Sequence, residues 1–507
     1  MRNRTALLLL VLSLCPAPGL LARAQTASSD TTWMTVLLGG RKIGHLQIQH
    51  DRAGNVVTTT QDLVIELNRS GKSVPLGVLT RSVENASGEP LGFYSRSTLS
   101  AADSTVEGKL RADGSFDVSS TVDGATRQTL LVWPTGAVLS EGQRLALVKT
   151  AGQPGKNYTM DMFDPASQAV AHVDMQVIGD EKILLPDGPV VLNHQRQVLR
   201  TNRGVQTMDL WLDHQGRARK GLLNMFGQEL EMLTCSQRCA MAPVQKLDMF
   251  RAAMVDSPRL LPAYLRTSFL RYRIRATGNI PQPVITTDEQ HVTRLGGDDW
   301  LVDIGNPQPG GEAPPTAEDV QPNAWVQSDA PEIRKMAADV VGDARDDLQK
   351  MRRLRSFVSD YITQHGLDVG YASALEVART REGDCTEYAV LLAALARAEQ
   401  IPTRVVTGMV YADRFSGASR VFVPHAWVQS WVNGRWQSFD SALRRFDSSH
   451  IALDTGDGDP WHFFNIANLF GQLHIEEITP TSELAGNLPP PAPSEPAAGG
   501  GGRGGGE

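Results

Sequence analysis

The sequence predicts an α+β chain in two parts, an all-β N-terminal domain followed by a C-terminal domain that mixes helices with antiparallel strands. Three observations predict this. Short alternating stretches broken by turn residues run from about Thr31 to Leu233. Beyond a Gly/Pro-rich stretch at 305–315 the pattern changes to helical periodicity. Further on, Asn433-Gly434 separates two alternating stretches, the strongest short-range hairpin signal. At 507 residues the chain is too long for one ordinary core, so two or three domains are expected. Its hydrophobic share of 41% and charged share of 21% are those of a globular protein. A net charge of −7 with no Lys/Arg cluster argues against a nucleic-acid partner, because phosphate binding needs a concentrated basic face.

The elements follow in chain order. Residues 1–24 read as a signal peptide: Arg2 and Arg4 form a basic start, Ala6 to Cys15 is a short apolar run, and Ala22-Arg23-Ala24 is a small-x-small cleavage site. The protein is therefore expected to be exported, periplasmic or secreted. With no later run of 18 apolar residues, no stable membrane anchor is expected. Residues 25–241 read as the β-rich domain. "TTWMTVLLGGRKIGHLQIQHDRAGNVVTTTQDLVIEL" gives three strands, and Asp-Gly turns at 113–114 and 123–124 continue the theme towards a sandwich or barrel-like sheet. Residues 242–304 read as a connecting region with β-like stretches, and 305–315 as a flexible linker. The C-terminal domain spans 316–480, with Asp329 before Pro331 as the start of its first helix. Residues 485–507, rich in Pro and Gly, cannot bury a core and read as a disordered tail.

Export places the cysteines in an oxidising compartment. Cys15 leaves with the signal peptide. Cys235 and Cys239, in "TCSQRCA", are close enough to close a small disulfide loop. No second Cys pair or nearby His pair accompanies them, so no metal and no cofactor is expected. That leaves Cys385. Arg381 to Asp384 reads as a turn and Tyr388 to Ala396 is apolar throughout, so Cys385 falls at the first turn of a buried helix. A helix N-terminus favours the thiolate and offers N–H groups to an oxyanion. The plainer reading is a small buried hydrophobe.

The hairpin shifts the balance between these readings towards a reactive thiol. A two-residue turn at 433–434 sets Val432 opposite Arg435, Trp431 opposite Trp436 and Trp427 opposite Asp440. His425, Trp427 and Asp440 then share one face, while Ala426, Val428, Val432 and Phe439 share the other. His425 and Asp440 become diagonal neighbours within side-chain reach. An imidazole oriented by a carboxylate is what a thiol nucleophile needs, first to take its proton and then to protonate the leaving group.

These residues resemble the transglutaminase-like superfamily of papain-like cysteine enzymes, in the form of a bacterial exported member. The resemblance covers about Pro331 to Leu453. It is carried by "GDCTEYAVLLAALARAEQIPTRVVTGMVY", by "HAWVQSWVNGRWQSFDSAL" and by "SSHIAL" at 448–453. It implies a papain-like α+β core in which a Cys helix packs on an antiparallel sheet that carries His and Asp. Cys385 would be the nucleophile, His425 the base and acid, and Asp440 the orienting group. One departure is Gln400, where members often have Gly. The resemblance implies acyl transfer on a peptide or protein substrate through a thioester. Hydrolysis by a protease or amidase is preferred to crosslinking, because water needs no acceptor pocket. The rival reading is a non-catalytic binding or assembly module. Two further residues carry paired readings. Glu387, with Asp384 beside the thiol, binds a substrate amine or caps the helix. Trp427, on the His425 face, lines a substrate groove or packs the hairpin.

Overall fold

The computed structural model describes residues 27–480 apart from 70–71, 101, 202–203, 226, 246–250, 252, 278–279, 306–311, 366–370 and 461–468. The expected signal peptide and tail lie outside these residues, as does most of the expected linker. Fifteen strands, from β1 (Ser28–Leu38) to β15 (Gln228–Thr234), form one sheet in which every strand but β8 and β9 lies beside its neighbours in sequence. Pairing of β1 with β15 joins two meanders, whose outer ends are β8 (Ala125–Leu131) and β9 (Ala137–Val138). The domain is thus one continuous sheet rather than a sandwich. It curls around helix α1 (Ser140–Ala151), which touches strands from both halves.

Side chains of the sheet, not residues of the helix itself, hold α1 in place. Leu139 at its N-cap makes no side-chain cap. The Glu84 carboxylate instead accepts the N–H groups of Glu141 and Gly142 at 2.7 and 2.8 Å, so a strand supplies the missing acceptors. At the other end, β12 (Gly188–Thr201) reaches the helix with Asn193, whose Nδ2 donates to the Ala151 carbonyl at 2.9 Å. Gln195 Nε2 donates to the Leu147 carbonyl at 3.1 Å. After β15 a disulfide joins Cys235 to Cys239.

The C-terminal domain has three layers. Its central sheet is ordered β16 (Val255–Asp256), β21 (Ala418–Val432), β20 (Thr403–Phe415) and β23 (His450–Gly456), with β22 (Arg435–Phe439) paired to β21. Helices cover one face: α2 (Pro331–Val341), α3 (Asp347–Tyr361), α4 (Ala374–Thr380) and α5 (Cys385–Ala398). The helical pattern works as spacing predicts, with Ile333, Ala337 and Val341 of α2 and Met351, Leu354 and Val358 of α3 buried. Ala330, not Asp329, is the N-cap of α2, and Pro331 opens the helix. Asp329 pairs with Arg127 of the β domain at 2.5 Å. Helix α5 is buried from Thr386 to Arg397 against Val405, Ala426, Val428 and Phe439. Each fully buried Leu or Val there stabilises the fold by about 1.5–3 kcal/mol.

A second sheet covers the other face, ordered β18 (Gln290–Gly296), β19 (Asp299–Ile304), β17 (Leu270–Ala276) and β24 (Leu473–Pro480). Tyr272, Ile274 and Val302 from it meet Met409, Phe422 and Ile451 of the central sheet. The 242–304 stretch is therefore structural, since β17, β18 and β19 build this sheet and β17 pairs with β24 from the end of the domain. Glu312 and Ala313 also depart from a flexible linker. Glu312 is ion-paired with Arg404 at 2.5 Å, and the Ala313 carbonyl accepts the Trp436 indole N–H at 3.1 Å.

Candidate active site

Cys385 is the first residue of α5, as its position between a turn and an apolar run predicts. The turn before it is set by a capping box. Asp384 is the N-cap, its carboxylate accepting from Thr386 N–H at 3.2 Å, and Glu387 Oε2 accepts back from Asp384 N–H at 2.9 Å. Gly383 is required by this closeness, because a Cβ there would stand 2.2 Å from the Glu387 Cβ. Glu387 is 0% exposed and also accepts the Ala372 N–H at 2.9 Å. Burial, with Asp384 beside it, pushes its carboxyl well above the usual range. Of the two readings for Glu387, helix capping is the one the structure holds; a side chain so enclosed is not presented to a substrate amine.

The hairpin has the predicted register, with Val432 opposite Arg435 and Trp431 opposite Trp436. Asp440 follows directly on β22, and its Oδ2 lies 2.9 Å from His425 Nε2. Both side chains are buried. On the far side of His425 stands Gly408 of β20. A Cβ at Gly408 would lie 2.2 Å from the Ile451 carbonyl and 2.9 Å from the Trp427 ring, so only glycine lets β20, β23 and Trp427 close up there. Trp427 is 2% exposed. Its ring stacks on His425 at 6.0 Å and its indole N–H donates to Ser438 Oγ at 3.2 Å. It walls the imidazole rather than lining an open groove.

A second imidazole enters that sequence reasoning did not place. His450, at the start of β23, lies 3.1 Å from the same Asp440 Oδ2 through its Nε2. The other oxygen, Oδ1, accepts the N–H groups of Ala442 and Leu443 at 2.8 and 3.1 Å. Asp440 thus takes four hydrogen bonds, the full capacity of an ionised carboxylate. Burial alone would raise its pKa, but His425 and His450 overcome that and hold it below the usual carboxylate range. His450 is the mirror case. Burial opposes its charge, yet hydrogen bonds to Asp440 and Asp447 raise its pKa to about 9. Its Nδ1 sits 3.0 Å from the Asp447 carbonyl and 3.3 Å from the Asp447 N–H. The carboxylate that orients His425 is therefore also held by an imidazolium. Among the described residues, His425, Asp440 and His450 are the group whose ligand atoms lie close enough, within 4.8 Å, to surround a metal ion. The signal for His450 was in the sequence, since "SSHIAL" had already been singled out, but only the pairing of β23 with β20 brings it to Asp440.

Residues 334–441 match the Transglutaminase-like superfamily. The matched segment holds Cys385, His425 and Asp440, and it stops short of His450. Gln400, at the exit of α5 in this transglutaminase-like domain, has φ +59°, which explains the glycine that members often carry there. No curated protein matches the chain. Several solved structures are similar in part, three of them as follows. A candidate cysteine protease from Cytophaga hutchinsonii shares 16% identity over 42% of this chain and 87% of its own, with a TM-score of 0.26. A β-barrel-like domain of unknown function from Brucella abortus shares 12% over 42% and 98%, with a TM-score of 0.32. A candidate protease from Parabacteroides distasonis shares 13% over 69% of each chain, with a TM-score of 0.20. Likenesses this weak carry no argument about activity. Among the described residues, no helix is long and apolar enough to cross a membrane.

Proposed function

We propose that the transglutaminase-like domain is an exported cysteine enzyme that hydrolyses peptide or carboxamide bonds through a thioester on Cys385. The observation that carries this reading is the buried hydrogen bond between His425 Nε2 and Asp440 Oδ2. It fixes the tautomer and turns Nδ1 into the proton acceptor. Cys385 supports it by opening the helix that packs against β21, the strand of His425. In the forward half the thiol proton passes to His425 Nδ1 and the sulfur attacks the carbonyl carbon. The Cys385 N–H, at the helix N-terminus, stabilises the oxyanion. The His425 proton then goes to the departing amine, leaving the thioester. Water, deprotonated by His425, releases the acid and restores the thiol. Export is proposed from the basic and apolar pattern of residues 1–24.

Iodoacetamide labelling of Cys385 against pH tests this. Rapid labelling well below the ordinary thiol pKa is expected, and His425→Ala should slow it. Slow labelling in both proteins with an ordinary thiol profile would leave only a binding or assembly role. A glutamine peptide incubated with a primary amine then separates the two chemistries. Release of acid is expected, and dominant amine incorporation would replace hydrolysis by crosslinking.

A further inference from the structure

The curled sheet of the N-terminal domain lines a cavity of about 410 Å³ beside α1, partly open to solvent and within the size range of small-molecule sites. Aliphatic side chains, Met34, Leu46, Leu210 and Met232 among them, share its wall with polar ones such as His50, Thr59 and Gln61, and among the described residues no Phe, Tyr or Trp lines it. A wall without phenyl or indole rings and with adaptable methionines suits a flexible chain better than a flat ring. The polar groups give the second clue. Asn193, Gln195 and Gln197 project from one face of β12 as a ladder of amides. The first two donate to carbonyls of α1, as described above. Gln197 lies beyond the helix, lines the cavity and is 6% exposed, and its Nε2 has no hydrogen-bond partner among the described residues. A buried donor left unmatched costs about 1–3 kcal/mol, so an acceptor belongs in that space. The rim is close to electrically balanced. Arg144 is paired with Glu141 at 2.7 Å and Arg217 with Asp213 at 2.9 Å and with Asp30. A free carboxylate head would find both arginines already taken.

We propose that this cavity binds one neutral acyl chain, an ester or amide of a long-chain fatty acid, whose carbonyl oxygen accepts the Gln197 amide N–H while the chain lies along the methionine and leucine wall. The site is separate from Cys385 and gives the β domain a function of its own.

The test uses the full chain and the methyl ester of the fluorescent polyene cis-parinaric acid. Saturable one-to-one binding is expected, with displacement by methyl palmitate. Hexadecane, which lacks the carbonyl, and palmitate, which carries a charge, should displace at least tenfold less well. Gln197→Leu should weaken methyl palmitate about tenfold and leave hexadecane unchanged. Leu210→Trp and Met232→Trp, which fill the cavity from two walls, should abolish binding, with thermal unfolding checked for each. Val132→Trp, just past the end of β8 where Val132 is 75% exposed and does not line the cavity, should bind like the parent. Iodoacetamide labelling of Cys385 should be the same in all of them, which separates this proposal from that of the active site. Absence of saturable binding by the parent, or unchanged binding by both cavity-filling variants, overturns it. Hexadecane displacing as well as the ester means that the Gln197 amide is satisfied by water, and overturns the acyl assignment.

Discussion

The two domains each bury a carboxylate almost completely and use it in opposite ways. Glu84 of the β domain is 0% exposed and its oxygens meet neutral donors, two backbone N–H groups and the Ser82 hydroxyl. Burial dominates, with the hydrogen bonds opposing, and its pKa is raised above the ordinary 4.5. Asp440 of the transglutaminase-like domain is 1% exposed, but two of its partners are imidazoles that can carry charge, and its pKa is lowered below the ordinary 3.8. Depth alone therefore does not set the sign of a shift. The charge of the partners does. Linkage then gives the domains opposite trends in acid. The stability held by Asp440 is present above pH 3.8 and is lost as pH falls through its lowered value. Glu84, with a raised value, favours folding below pH 4.5 and loses that as pH rises through it.

The comparison is most sharply broken at the thiol. Cys385→Ala should lower peptide hydrolysis by about 10³-fold or more while leaving acyl-ester binding by the β domain untouched, measured on the same preparation. Gly408→Ala should cost more than about 3 kcal/mol, because the new Cβ meets backbone rather than a movable side chain. Hydrogen exchange should show the loss in β20 to β23, with β1 to β15 still protected. His450→Gln should reduce kcat roughly tenfold through a less well-held Asp440. It should also flatten a pH trend. The contribution of His450 is full below pH 6.5 and lost as pH rises through about 9, so parent and variant stabilities should converge at alkaline pH. Glu84→Ala leaves two helix N–H groups without their acceptor and should cost about 1–3 kcal/mol, with no change in Cys385 labelling. The smallest effect is expected at Gln400→Gly, which relieves a left-handed backbone and should stabilise the domain by up to about 1 kcal/mol in denaturant unfolding.

What could be read from the sequence was local. A two-residue turn fixes its own register, so Asn433-Gly434 placed His425 beside Asp440, and an apolar run after a turn placed Cys385 at a helix start. The pattern Asp384-x-x-Glu387 also carried a capping box, and the close approach of Gly383 shows how tightly it is built. What could not be read depended on distant pairing. Nothing local tells that β17 lies between β19 and β24, that β23 delivers His450 to the far side of Asp440, or that the β domain closes around its own helix instead of stacking two sheets.

The strand that leads to Asp440 has one more property. β22 pairs with β21 on one side only, yet the N–H groups of Trp436 and Ser438 on its outer edge are already taken. Carboxylates of Asp288 and Glu289 accept them at 2.8 and 2.9 Å. An extended peptide recruits itself to a sheet through such open N–H groups, and so does a misfolded neighbour. At β22 neither finds a template. An extended chain that approached Asp440 from this side would therefore have to be held by contacts other than main-chain pairing along that edge.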